Sequence, residues 1–132
     1  MSLSGWDSRV PARITQCAAL VATGFPYDRR ERADFYLPFY KAAVVKTQGV
    51  RRAGAAALDL AWVACGRCDA YFEFGIKPWD VCAGALLVTE AGGTVSDMRG
   101  GPHRLDGANT LVSNGKLHEE TLSMLRDAWP AT

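Results

Sequence analysis

Apolar and polar positions along the chain change period several times, and each change marks an element. The run Cys17–Gly24, "CAALVATG", is short, apolar and closed by the turn signal "GFPYD", which predicts a buried strand. The long mixed stretch "RRERADFYLPFYKAAVV" predicts a helix, with Asp28 as its N-cap and Pro38 forcing a kink or break. "GVRRAG", Gly49–Gly54, is a short extended link. "AAALDLAWVACG" returns to helical spacing through Leu58, Ala61, Trp62 and Cys65, with Asp59 its only charge, so this helix is expected to be buried on most sides. "DAYFEF" alternates, with Ala70, Phe72 and Phe74 on one face and Tyr71 and Glu73 on a polar-tolerant other face, as in a strand.

Pro78 opens the next helix, where its missing N–H costs nothing, and Gly92-Gly93 close it. "TVSDM" and "TLVSN" predict short strands. Asn114 is the expected cap of a last amphipathic helix, with His118, Leu122, Leu125 and Trp129 on one stripe and Glu119 and Glu120 in its first turn. The order strand, helix, strand, helix, strand, helix, strand, strand, helix argues for an α/β domain, a layered sheet flanked by helices. "RGGPHRLDGAN", Arg99–Asn109, is the loosest stretch and reads as a surface loop. Residues 1–16 are read as a leader and irregular entry segment, and 17–132 as one α/β domain.

Composition narrows the function classes. The 132 residues are 48% hydrophobic and 22% charged, enough for one domain with a real core. A net charge of +1 without long basic or acidic blocks gives no electrostatic footprint for nucleic acid. No apolar run has the length of a membrane span and no signal peptide is visible, so a cytoplasmic protein is expected. Cys17, Cys65, Cys68 and Cys82 are read as reduced, mostly buried thiols; the lone C-x-x-C lacks a second pair or suitably spaced histidines for zinc.

Candidate chemistry gathers where strands end and helices begin. Glu73 ends a strand and Asp80 stands in the first turn of the following helix, so the turn "FGIKP" can bring both carboxylates to one rim. "RRAGAAA" adds a second helix start whose backbone N–H groups at Ala55 and Ala56 are open to a ligand. Plainer roles compete. A first-turn acid such as Asp80 is favoured by the helix dipole alone, and an edge strand would simply show Glu73 to water. Solvation is the default for Arg51 and Arg52, local hydrogen bonding or ion pairing for Asp59 and Asp69, and core or rim packing for Tyr71 and Trp79.

Three tracts, "ALVATGFPYD", "GAAALDLAWVACGRCDAYFEFGIKPWDVCAGALLVTEAGG" and "VSDMRGG", closely resemble the C-terminal half of the inositol monophosphatase family. The likeness runs from about Cys17 to the final helix and is densest over Gly54–Gly101. It implies the fold of that C-terminal domain and a magnesium-dependent phosphatase acting on inositol monophosphate or a similar small polyol phosphate. In the family the aspartate of the W-D pair is a metal ligand, which maps to Asp80. The glutamate of the preceding strand contacts sugar-alcohol hydroxyls, which maps to Glu73. The small residues lining the substrate pocket map to Gly54, Ala55 and Ala56. Family members often carry serine or threonine where Ala55 stands, which weakens the inference to one substrate.

The family's N-terminal half bears a glutamate and a D-P-I-D-G-T loop, which supply most metal ligands, the phosphate contacts and the activation of water. No such tract is present, and Asp106-Gly107 in "RLDGANT" is no substitute. Two magnesium ions about 3.5–4 Å apart need several shared oxygen ligands, so this chain alone is expected to bind metal poorly and to be inactive. The partners implied are the missing half, a small phosphorylated polyol and a second copy of the protein. Open alternatives are histidinol phosphate, fructose 1,6-bisphosphate or a nucleotide 3'-phosphate as substrate, or a non-catalytic dimerisation or regulatory module.

Overall fold

The computed structural model describes residues 15–106 and 108–131. Most of the expected leader, and Gly107 of the Asp-Gly pair, lie outside the described residues. A short 3-10 turn at Gln16–Ala18 leads into β1, Leu20–Thr23. The elements α1 (Ala33–Lys46), β2 (Gly49–Arg51), α2 (Ala56–Ala64), β3 (Ala70–Phe74) and α3 (Pro78–Glu90) follow. The chain ends through β4 (Thr94–Ser96), β5 (Asn109–Ser113) and α4 (His118–Arg126). The expected order of strands and helices is the observed one.

The five strands form one mixed sheet in the order β2-β1-β3-β5-β4. β1 runs parallel to β2 and β3, while β5 is antiparallel to both β3 and β4. Helices cover both faces, which is why the strands are apolar on both sides. On one face Val21, Ala70, Phe72, Phe74 and Leu111 pack with Tyr36 and Phe39 of α1 and Leu122 and Leu125 of α4. Phe39 belongs to an aromatic cluster there, its ring centroid 5.0 Å from Phe74 and 4.9 Å from Trp129. On the other face Ala22, Tyr71 and Val112 pack with Leu60 and Val63 of α2 and Val81 and Val88 of α3. Odd and even strand positions thus feed separate cores.

Several expectations are corrected in detail. "GVRRAG" is more than a link, because Gly49–Arg51 pairs in register with Leu20–Ala22. Asp28 does not cap α1. That helix starts five residues later behind Arg32, and the Asp28 carboxylate accepts from the Tyr36 hydroxyl at 2.9 Å and lies 3.6 Å from Arg32. Pro38 does not break α1, which runs through it to Lys46. Proline withholds one N–H from the turn before it, and burial of Tyr36, Phe39 and Ala43 offsets that loss. In α2 the buried face is Asp59, Leu60 and Val63, whereas Leu58 is exposed. β3 lies at the centre of the sheet rather than at an edge, and Tyr71 on its supposedly polar-tolerant face is fully buried. Asn114 works one turn ahead of α4, accepting from the N–H groups of Lys116 and Leu117 at 2.9 and 3.2 Å, and Trp129 lies beyond the helix end. All four thiols are free, but Cys17 and Cys82 are exposed.

Candidate functional site

The parallel strands β2, β1 and β3 all deliver their C-terminal ends to one side of the sheet. The segments that leave them line a single cavity of about 400 Å³. Gly24, Phe25, Pro26 and Tyr27 follow β1; Arg52, Gly54, Ala55 and Ala56 follow β2; Gly75, Ile76, Lys77 and Asp80 follow β3. Arg29, Glu73 and Asp59 complete the wall. Ligand sites in α/β sheets form in this way, outside the carboxyl ends of parallel strands. All five residues named from the sequence, Glu73, Asp80, Gly54, Ala55 and Ala56, therefore meet at one cavity.

Two helices point their starts toward it. α2 begins behind Ala55 and α3 behind Lys77, and neither N-cap residue makes a side-chain cap hydrogen bond. The positive end of each helix dipole thus faces the cavity, a setting that favours anionic ligands, and α2 adds free first-turn N–H groups; at α3 Pro78 has no N–H and the Asp80 N–H donates to the Lys77 carbonyl at 2.9 Å. Gly54 turns the chain into α2 at φ +90°, a conformation glycine adopts at little cost.

The acidic side chains differ in environment. Asp80 is exposed in the first turn of α3. Glu73 is half-buried, and the Tyr71 hydroxyl donates to its Oε2. Burial pushes the Glu73 carboxyl above the usual carboxylate range and Asp80 adds to this, while the Tyr71 hydrogen bond and the Arg52 charge oppose it. Asp59 is only 1% exposed, and its Oδ1 is buried without a hydrogen-bond partner. Burial, and then the nearby Glu73 charge, raise its pKa to about 6 against the pull of Arg52.

Sequence reasoning passed over several contributors to this site, among them Asp59, Arg52 and Gly24 in the wall and Tyr71 behind it. Asp59 was read as a local partner, yet it is the buried acid of the cavity; the signal was a lone charge inside an apolar helix. Arg52 is exposed, as expected, but it also lines the cavity, and its charge reaches both Glu73 and Asp59. Gly24 leaves room for Glu73: a Cβ there would lie 2.6 Å from the Glu73 carboxyl carbon. Tyr71 is a core aromatic, as expected, and its hydroxyl in addition holds the glutamate.

Comparison with known proteins decides the class. The inositol monophosphatase family model matches residues 4–129. The chain belongs to the inositol monophosphatase family. It is 44% identical over 131 residues to the Nus factor SuhB of Pseudomonas aeruginosa, covering 98% of this chain and 48% of that protein. It is 45% identical over 123 residues to an inositol-1-monophosphatase of Synechocystis, covering 90% of this chain and 43% of that protein. The structure of inositol monophosphatase from Anabaena (Nostoc) superposes with a TM-score of 0.84 at 43% identity, over 91% of this chain and 49% of that one. The chain thus spans about half the length of the curated relatives it matches.

Asp80 offers the hard oxygen donor that magnesium prefers. Among the described residues, however, no group of three or more His, Cys, Asp or Glu side chains is arranged to hold a metal ion. No helix among the described residues is long and apolar enough to cross a membrane.

Proposed function

We propose that this chain forms the polyol-facing part of a cytoplasmic, magnesium-dependent phosphomonoesterase that hydrolyses inositol monophosphate or a similar small sugar or polyol phosphate. The observation that carries the reading is the meeting of Glu73, Asp80 and the Gly54–Ala56 helix start at one cavity in a member of this family. In this reading Glu73 accepts a hydrogen bond from a ring hydroxyl and orients the alcohol. The Ala55–Ala56 backbone lines the ligand, with the uncapped α2 start drawing its negative charge. Asp80 contributes one carboxylate to a metal site whose other donors come from an N-terminal half, as does the activation of water.

By itself the chain is then a poor metal binder and turns over no substrate at enzyme-like rates. Purified chain mixed with inositol 1-phosphate and magnesium tests this directly. Enzyme-like phosphate release, or tight stoichiometric magnesium binding by calorimetry, overturns the reading. In a protein completed by an N-terminal half, Asp80→Asn is expected to lower kcat at least about a hundredfold, the scale of losing one electrostatic contributor to a transition state, with the melting temperature unchanged. Unchanged activity removes Asp80 from the metal site.

A second reading is a non-catalytic regulatory or dimerisation module. It draws on the name Nus factor carried by the SuhB relatives and on the exposed apolar side chains Leu58, Trp79 and Leu86 of α2 and α3. A completed protein that binds its partners but hydrolyses neither inositol phosphates nor the alternative small esters would favour it.

A further inference from the structure

The seat of Glu73 is built from the inside of the protein. On one side its carboxyl lies against Gly24, in space that any side chain there would occupy. On the other, the Tyr71 hydroxyl donates to Oε2. Tyr71 and Glu73 are two positions apart on the central strand, so their side chains leave the same face of the sheet. Tyr71 itself is completely buried among Leu60, Val63, Val81 and Val88, beneath both helices of that face. Packing of this kind holds the ring in place, and its hydroxyl is the one part that turns toward the cavity wall.

We propose that Tyr71 is a positioning residue for the alcohol-binding step: its buried hydroxyl fixes one oxygen of Glu73 and leaves the remaining acceptor positions of the carboxylate for a ligand hydroxyl. A carboxylate has about four lone-pair positions, and a tyrosine donor uses one, so orientation is gained without exhausting the acceptor. The same bond favours the charged form, which is needed because Asp80 and burial both work against it. Tyr71 never has to touch the ligand; it acts through Glu73. The proposal rests on the reading of Glu73 as the hydroxyl acceptor.

Tyr71→Phe keeps the ring and its packing and removes only the donor. Inositol 1-phosphate is titrated into the chain and followed by the amide resonances of Gly54–Ala56, in the native sequence, Tyr71→Phe, Glu73→Gln and the double variant. Tyr71→Phe is expected to weaken binding about tenfold, the scale of one hydrogen bond to a charged group. The double variant should bind no more weakly than Glu73→Gln alone, because Tyr71 has nothing left to position. Native-like affinity for Tyr71→Phe, or losses that simply add, overturns the proposal.

A second measurement needs no ligand. The side-chain carboxyl carbon of Glu73, followed by carbon-13 resonance against pH, should titrate higher in Tyr71→Phe. An unchanged titration overturns the positioning role whatever the ligand does. Where the chain alone takes up no inositol 1-phosphate, a raised titration upholds the seating of Glu73, and the same binding comparison in the protein completed by its N-terminal half decides the rest: no binding there sinks the substrate reading instead.

Discussion

Two buried polar groups near the starts of helices meet opposite fates in this fold. His118 opens α4 and has both ring nitrogens partnered, Nε2 with Ser96 Oγ and Nδ1 with Ser113 Oγ, each at 2.8 Å. The bonds run in one direction. Gly115 N–H donates to Ser113 Oγ, and the Ser96 hydroxyl donates to the Asp97 carbonyl at 2.7 Å. With the Ser96 hydroxyl donating to Asp97, every bond is satisfied by the neutral ring whose Nε2 carries the proton and donates to Ser96 while Nδ1 accepts from Ser113. Asp59 of α2 is as deeply buried, yet its Oδ1 has no hydrogen-bond partner and it shares the cavity wall with Glu73. The first group is closed and binds β4, β5 and α4 together. The second retains an unmet need at the place where a ligand would enter. A buried polar network that satisfies itself stabilises, and one that does not is held for another purpose or at a cost.

The largest expected effect comes from breaking the closed network. His118→Ala leaves a small cavity and deprives the Ser113 hydroxyl of its acceptor, at an expected cost of about 2–4 kcal/mol in urea or thermal unfolding. A cost below about 1 kcal/mol would mean that the network is ornamental. The native protein should also lose stability as pH falls. Burial lowers the folded pKa of His118 below its ordinary 6.5, so the unfolded chain takes up the proton first. This contribution is fully present above pH 6.5, fades below it, and should be missing from the acid limb of His118→Ala.

Asp59 has the opposite sign. Its folded pKa is raised from the ordinary 3.8 to about 6, so the folded state holds the proton more tightly. Its favourable contribution is complete below about pH 4 and is lost as pH rises through 6, a change of at most about 3 kcal/mol. Asp59→Asn should remove that slope, match the native chain near pH 4 and exceed its stability at pH 8 by about 1–2 kcal/mol. A variant that is less stable at pH 8 would show that the ionised carboxylate is well paired, and the contrast with His118 would disappear.

The sequence revealed the skeleton of this contrast better than its substance. The α3 boundaries were legible because Pro78 and Gly92 act locally, through a missing N–H and a positive φ of 88°. The meeting of Glu73, Asp80 and Ala55–Ala56 followed from the rule that parallel strands and helix starts share one end, while Gly54 was named only by the family resemblance. The buried face of α2 was not legible. When nearly every position is apolar, periodicity carries no contrast, and the reading settled on Leu58 instead of Leu60 and on a bystander role for Asp59. β2 was legible only as an extended link, because three residues carry no pattern; its pairing rests on the register with β1. The central place of β3, and with it the burial of Tyr71, depends on strand order, which no local signal encodes.

The smallest effect probes the open end of the comparison. Ala55 stands at the N-cap of α2 with extended backbone, φ −138° and ψ 97°, and gives no side-chain acceptor to the first turn. Its carbonyl already receives the Asp59 N–H at 3.0 Å, so the helix start is in place and lacks only its cap. A serine hydroxyl at this position can accept from the N–H of Ala57 or Leu58, the second and third residues of the helix. Ala55→Ser is therefore expected to stabilise the chain by about 0.5–1 kcal/mol, read as a rise of roughly 2–4 °C in the melting temperature. The gain would show that the α2 start, like Asp59, is left incomplete on the side facing the cavity. No gain, or a loss, would mean that those N–H groups are already engaged, and the open character of this region would then rest on Asp59 alone.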